Sequence, residues 1–239
     1  MNLEKLFRSH DAVIVFDTET SGLVATKHQI IELAAVRLEF RSGQLVEADA
    51  MDDFIRLPEG EKIPPDIVAL THITDEILLE QGKDRREAAE RFCRLLSEGG
   101  RRVLLVAHNA QFDLLFIRQL LRGFRPGVQF DFLDSLTVYK DRATYPHKLE
   151  AAIKHYELEG RVQNSHRAID DVKALVEVLK AMDKERDDLQ TYINIFGYNP
   201  KYGVSGERIA GITYHEQQFT NFKRPMSMCL PAIVKGENE

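Results

Sequence analysis

Apolar positions along the chain follow a strand period first and a helical period later. Residues 12–16, AVIVF, form a short apolar run that predicts a buried strand. Residues 29–40, QIIELAAVRLEF, alternate: Ile30, Ala34, Val36, Leu38 and Phe40 share one face, and Arg37 and Glu39 share the other. A third strand is expected over 45–57, after the Ser42-Gly43 turn. Three strands with short connections read as an antiparallel meander. Helical signals follow. Asp84 and Glu87 have capping-box spacing ahead of Ala88, Phe92, Leu95 and Leu96. RVLLVA (102–107) predicts another buried strand, and a helix follows from about Gln111 to Leu121, ended by Gly123 and Pro126. A strand over 128–133, helices near 134–140 and 148–156, and a long helix over about 167–184 complete the pattern. Strands first and strand–helix alternation afterwards imply an α/β fold, a mixed sheet covered by helices.

After Asp188 neither period persists. Residues 190–239 combine glycines such as Gly197 and Gly203 and three prolines with seven aromatic residues, among them Tyr192, Phe196, Tyr202 and Tyr214. That is too aromatic for an ordinary disordered tail. The chain is therefore divided into a domain over 1–186 and an appended segment over 187–239, which packs on the domain or on a partner.

Composition narrows the function classes. The two cysteines, Cys93 and Cys229, form neither a disulfide framework nor a zinc pattern, and a reducing compartment is the simpler reading. No apolar stretch has the length of a transmembrane helix and the first residues lack a signal-peptide pattern, so a cytoplasmic protein without membrane contact is expected. The net charge of −6 argues against coating nucleic acid through a broad basic surface, but not against gripping a strand end. Metal-binding carboxylates would themselves contribute to that negative total, and divalent cations would cancel them.

Three segments place a carboxylate at the mouth of a buried element. On a strand, Asp17 and Glu19 extend the face of Val13 and Val15. Paired carboxylates there repel and resist desolvation unless a hard cation joins them; the plainer reading is a polar turn after a strand. On a helix, Asp113 aligns with Phe116, Ile117 and Leu120, as either a site residue or a first-turn acid facing the helix dipole. Asp171 heads the stripe Ala174, Leu175, Val178, Leu179 and Met182, whereas Asp170 lines up with Lys173 and Glu177. His166 stands at the entrance of that helix, as a functional base or as a locally bonded loop histidine. Glu32 lies on the apolar face with Ile30 and Ala34, as a partner of the site or as a group satisfied at the sheet edge. A sheet with helices packed on it can bring the three mouths together into a two-metal hydrolase. Phosphate-loop, dinucleotide, zincin and nucleophile-elbow motifs are absent from the sequence.

DTETSGL (17–23), AHNAQFD (107–113) and HRAIDD (166–171) resemble, in order and spacing, the three motifs of the DEDDh, or DnaQ-like, 3′→5′ exonucleases, the family that includes the proofreading exonucleases of the DNA polymerase III epsilon type. IPPDIVALTHITDEIL (63–78) is similar to the family's linking helix and the turn after it, and the resemblance covers about residues 10–183. It implies an RNase H-like fold with a five-stranded mixed sheet. It also implies two Mg²⁺ or Mn²⁺ ions: Asp17 bridging both, Glu19 and Asp171 on the nucleophile side, Asp113 serving the second largely through water. His166 would deprotonate the attacking water. Arg167 stands where the tyrosine subclass places Tyr, so the histidine subclass is the match. Thr20 and the backbone around Thr18 and Glu19 would contact the terminal sugar and phosphate, and Leu23 would wedge against the terminal bases; Phe112 would pack beside them or serve the core, and His108 and Asn109 would shape the site or stabilise a turn. Ser21 replaces a threonine often found in the first motif, and His72 replaces a small residue. The implied substrate is a nucleic acid 3′ end, DNA before RNA, with a DNA polymerase or a second copy of the chain as partner for the appended segment. Trimming of RNA ends and a catalytically silent docking module are the alternatives.

Overall fold

The computed structural model describes residues 3–162, 167–218 and 225–226 of the 239-residue chain. Five strands form a mixed sheet: β1 (Ala12–Thr20), β2 (Ile30–Arg41), β3 (Gln44–Phe54), β4 (Arg102–Ala107) and β5 (Gln129–Asp134). Their order is β3-β2-β1-β4-β5, with β2 antiparallel to both β1 and β3, and β4 parallel to both β1 and β5. Ser42 and Gly43 join β2 to β3 with φ of 51° and 81°, the pair of left-handed residues that a tight hairpin of this hand requires. The parallel pairs need helical crossovers instead. β1 is central and covered on both faces, which explains why its sequence is a continuous apolar run rather than an alternation.

The helices are α1 (Pro65–Thr71), α2 (Asp75–Gln81), α3 (Arg85–Ser97), α4 (Ala110–Leu120), α5 (Ser135–Arg142), α6 (Leu149–His155) and α7 (Ala168–Glu185). Val13, Val15, Ala34 and Val36 pack under α5, α6 and α7. Ile14, Phe16, Leu33 and Ala35 pack under α3 and α4. Because both faces are covered, Arg37 is buried rather than solvated. Its guanidinium donates to the Leu95 carbonyl at 2.9 Å, near the α3 C-terminus, and pairs with Glu39 at 2.7 Å. His72 ends α1 with φ of 59°, its backbone N–H donating to the Val68 carbonyl, so its place in the fold is that of a helix terminator.

Residues beyond 188 share both cores. Leu189 and Tyr192 join the α7 side, and Phe196 and Ile209 join the α4 side. β6 (Ile195–Tyr198) and β7 (Thr213–Glu216) make a small parallel pair. Asn194 covers the free edge of β5: its backbone N–H donates to the Phe132 carbonyl at 2.7 Å, and its side-chain oxygen accepts from Phe132 N–H at 2.8 Å. Gln217, fully buried, donates to the Thr137 carbonyl at 3.0 Å. Gln111 on α4 donates to the carbonyls of Ser205 and Glu207 at 2.9 and 2.8 Å. Among the described residues, no helix is long and apolar enough to cross a membrane.

Candidate active site

Strand alternation carries Asp17 and Glu19 on from Val13 and Val15, toward α7. α7 buries Ala174, Leu175, Val178, Leu179 and Met182, which presses its first turn against the end of β1. Asp171 sits in that turn, and the oxygens that Asp17, Glu19 and Asp171 offer lie within 4.8 Å of one another. Asp171 is buried, and its Oδ1 has no hydrogen-bond partner among the described residues.

The electrostatics match three crowded acids. Desolvation, followed by the charges of Asp113, Asp171 and Glu19, pushes the Asp17 carboxyl well above its ordinary range. Asp17 keeps some surface open to solvent, yet the protein packed around its carboxyl makes burial the largest cause. Desolvation and then Asp171 and Glu32 raise Glu19 to about 8. Desolvation, then Asp170 and Glu32, raises Asp171 to about 7. Three oxygen-rich groups held together, one with an orphaned buried oxygen, fit a hard divalent cation.

These shifts set an expected pH dependence. Without metal, the native state holds protons on Glu19 and Asp171 up to pH about 7–8, whereas the unfolded chain releases them near pH 4. Native binding of more protons means that stability falls as pH rises through that window. In chelator, the melting temperature should therefore be lower at pH 8 than at pH 5.5. Mg²⁺ or Mn²⁺ at about a hundred times its Kd should stabilise by roughly 2.7 kcal/mol, a rise of about 5–10 °C for a domain of this size. Calorimetry showing no response to either pH or cation would remove the metal site.

Asp113 reaches the same place from the opposite face of the sheet. Its Oδ1 accepts from the Thr18 backbone N–H at 3.1 Å and from the Thr18 hydroxyl at 2.7 Å. It lies outside the three-oxygen cluster, although its charge is the largest single neighbour acting on Asp17. Burial raises its own carboxyl to about 7 against the lowering effect of the Thr18 bonds. Asp134, not anticipated from sequence, braces this region. One of its oxygens accepts from Asn109 and Ala110 N–H at 2.9 and 3.1 Å, at the start of α4. The same carboxylate caps α5 through Leu136 and Thr137. An Asp immediately before a helix with Thr three residues on was the available signal. The His108 ring is held between Ser135 Oγ and the His147 carbonyl, at 2.9 Å each.

Glu32 fastens the mouth of α7. It is fully buried and accepts from Arg167 Nε and Nη2 at 3.0 and 2.8 Å and from Ala168 N–H at 3.0 Å. Arg167 also stacks over the Phe54 ring, 4.8 Å from its centroid. Glu32 thus holds the start of the helix that carries Asp171. His166, the residue before Arg167, lies outside the described residues.

The other sequence candidates fall into two groups. Thr18 and Thr20 are buried with internal partners, Asp113 for the first and the Gly22 carbonyl, at 2.8 Å, for the second. Asn109 is exposed with φ of 74°. Leu23 is 80% exposed and shares a groove of about 600 Å³ with half-buried Phe112, opposite Ser205–Glu207 of the appended segment.

Residues 14–179 match a family described as exonuclease. The chain is 32% identical over 196 residues to the PolC-type DNA polymerase III of Clostridium perfringens, a match covering 80% of this chain and 12% of that protein. It is 29% identical over 181 residues to the DNA polymerase III epsilon subunit of Treponema pallidum, covering 72% of this chain and 77% of that protein. The chain thus spans a small part of the PolC-type relatives. The zinc-bound E. coli exonuclease I–single-stranded DNA complex shares its fold: TM-score 0.63 at 19% identity, covering 77% of this chain and 42% of that one. The five-stranded mixed sheet with flanking helices is accordingly RNase H-like.

Proposed function

The chain belongs to this exonuclease family, and from that premise we propose that it hydrolyses the terminal phosphodiester at the 3′ end of DNA and releases nucleoside 5′-monophosphates, in proofreading or repair. The observation that carries the reading is the close set of Asp17, Glu19 and Asp171, desolvated and raising one another's carboxyls, with one buried Asp171 oxygen that has no hydrogen-bond partner among the described residues. The relatives' polymerase names support DNA as the substrate and a polymerase as a partner. Asp17, Glu19 and Asp171 would hold one Mg²⁺ or Mn²⁺, and Asp17 with Asp113 the second. When bound, such ions polarise the phosphate and stabilise the attacking and leaving oxygens of an in-line displacement. The protein's own groups do the rest. His166 takes a proton from the attacking water as its oxygen bonds to phosphorus and the bond to the 3′ oxygen breaks. Thr18 fixes the Asp113 carboxylate by two hydrogen bonds. Leu23 and Phe112, on one groove, hold the terminal bases.

The test is a side-by-side digestion of matched 3′-labelled single-stranded DNA, mispaired duplex DNA and RNA. Stepwise loss of DNA from the 3′ end in Mg²⁺ or Mn²⁺, with 5′-monophosphate products, is expected. Strong activity in chelator would remove the metal mechanism, faster digestion of RNA would favour RNA trimming, and inertness toward all three would favour a silent docking module.

A further inference from the structure

A groove of about 1110 Å³ lies between the α5–α6 region and the turn that follows β6. One wall carries Lys140, Tyr145 and Lys148; the other carries Lys201 and Tyr202. Among the described residues no acidic side chain lines it, in a chain whose net charge is −6. The tyrosines are 58% and 76% exposed, and the Lys201 ammonium lies 5.2 Å from the Tyr202 ring centroid. Large exposed aromatics beside unopposed lysines are the combination that a single nucleic acid strand recognises: cations follow its phosphates and rings stack on its bases. His108 and Asn109 close one end of the groove, where α4 begins. Asp113 stands one helical turn further on, about 6 Å along the axis. The end of the groove at Asn109 is thus four residues from Asp113 on the same helix, and neither of its basic walls belongs to the three motifs.

We propose that this groove is a track for a single DNA strand, holding the nucleotides upstream of the 3′ end that sits at the carboxylates; the assignment rests on the exonuclease reading. The appended segment then completes the substrate path, supplying Lys201 and Tyr202. Leu136, Leu149 and Met226 add apolar floor on which bases can lie.

Two variants test it, the double Lys148→Glu/Lys201→Glu and Tyr202→Ala, all at exposed positions. They are compared with the parent on a single strand of about 20 nucleotides, long enough to exceed one binding site of this kind. The second substrate is the p-nitrophenyl ester of thymidine 5′-monophosphate, which is too short to leave the carboxylates. Strand Kd by fluorescence anisotropy, and strand KM, should rise on the order of tenfold in each variant. The slope of log Kd against log salt should flatten by about 1.4 in the double variant, some 0.7 for each phosphate that is no longer neutralised. Turnover of the ester should stay at the parent level. Unchanged strand Kd with intact ester turnover would overturn the track. Displacement of the strand by polyglutamate at equal charge would also overturn it, and would place an acidic protein partner there. Parallel loss of ester turnover in both variants would overturn it as well, because the residues would then be acting on the carboxylates. If the parent hydrolyses neither substrate, the exonuclease reading fails, while anisotropy of the same variants still decides whether the groove binds the strand.

Discussion

Asp17→Asn should abolish measurable 3′-end degradation while making the metal-free protein more stable. Both effects come from one carboxylate. On the proposed function Asp17 is the ligand common to both ions, and its loss would forfeit several kcal/mol of charge stabilisation in the transition state, so a fall of at least about 10³-fold in turnover is expected. Without metal the same group is a desolvated acid facing Asp113, Asp171 and Glu19. A neutral amide of equal shape relieves that repulsion, so the melting temperature in chelator should rise at pH 8. Asp66→Asn is the matched control: its side chain is exposed on α1 and is not part of the three-oxygen cluster, and turnover should change little. Digestion of a 3′-labelled strand at the parent rate by purified Asp17→Asn would mean that the carboxylates are not the site.

His166→Ala should lower turnover by about 10²–10⁴, the range for loss of a general base. Its signature is a pH profile. A general base accepts a proton only in its neutral form, so at saturating cation the parent rate should climb with pH as the imidazole is freed of its proton. The variant should lose that limb and keep the cation-induced rise in melting temperature, because the carboxylates remain. A His166→Ala enzyme within a few-fold of the parent rate, with the acid limb intact, would transfer the base role to another group.

The sheet and the long helices were legible because their signals are local. AVIVF, the turn at Ser42-Gly43, RVLLVA and the stripes of α4 and α7 each carry their own signal; β4, α4 and α7 form within a residue of expectation, whereas β1 runs on to Thr20 and β3 stops at Phe54. The facing of Asp17 and Glu19 followed from alternation alone. What escaped the sequence depends on distant partners. Glu32 reads as an acid on an apolar face until Arg167, 135 residues away, is brought to it. Arg37 reads only as a cation sharing a strand face with Glu39 until α3 lays its last carbonyls over it. β6 and β7 have four residues each, too few for a period, and are stabilised by contacts with α4, α5 and β5. Asp134 had a capping signature for α5, but its bonds to the start of α4 depend on the register of β4 against β5. The base role of His166 rests on family resemblance, since its own spacing also suits an ordinary loop histidine.

The placement of Asp171 on α7, far along the chain from Asp17 on β1, has a consequence for how the protein comes into being. Chains emerge from the ribosome at about 5–20 residues per second, so roughly ten to thirty seconds separate the appearance of the first carboxylate from that of the last. During that interval the nascent polypeptide carries two of the three clustered carboxylates and, on the proposed function, no complete site. α7 also supplies Val172, Leu175 and Val178 to the core under which Val13 and Val15 lie. The event that covers the sheet is thus also the event that completes the carboxylate cluster: a chain stopped short of this helix lacks both the cover and, on the proposed function, the activity.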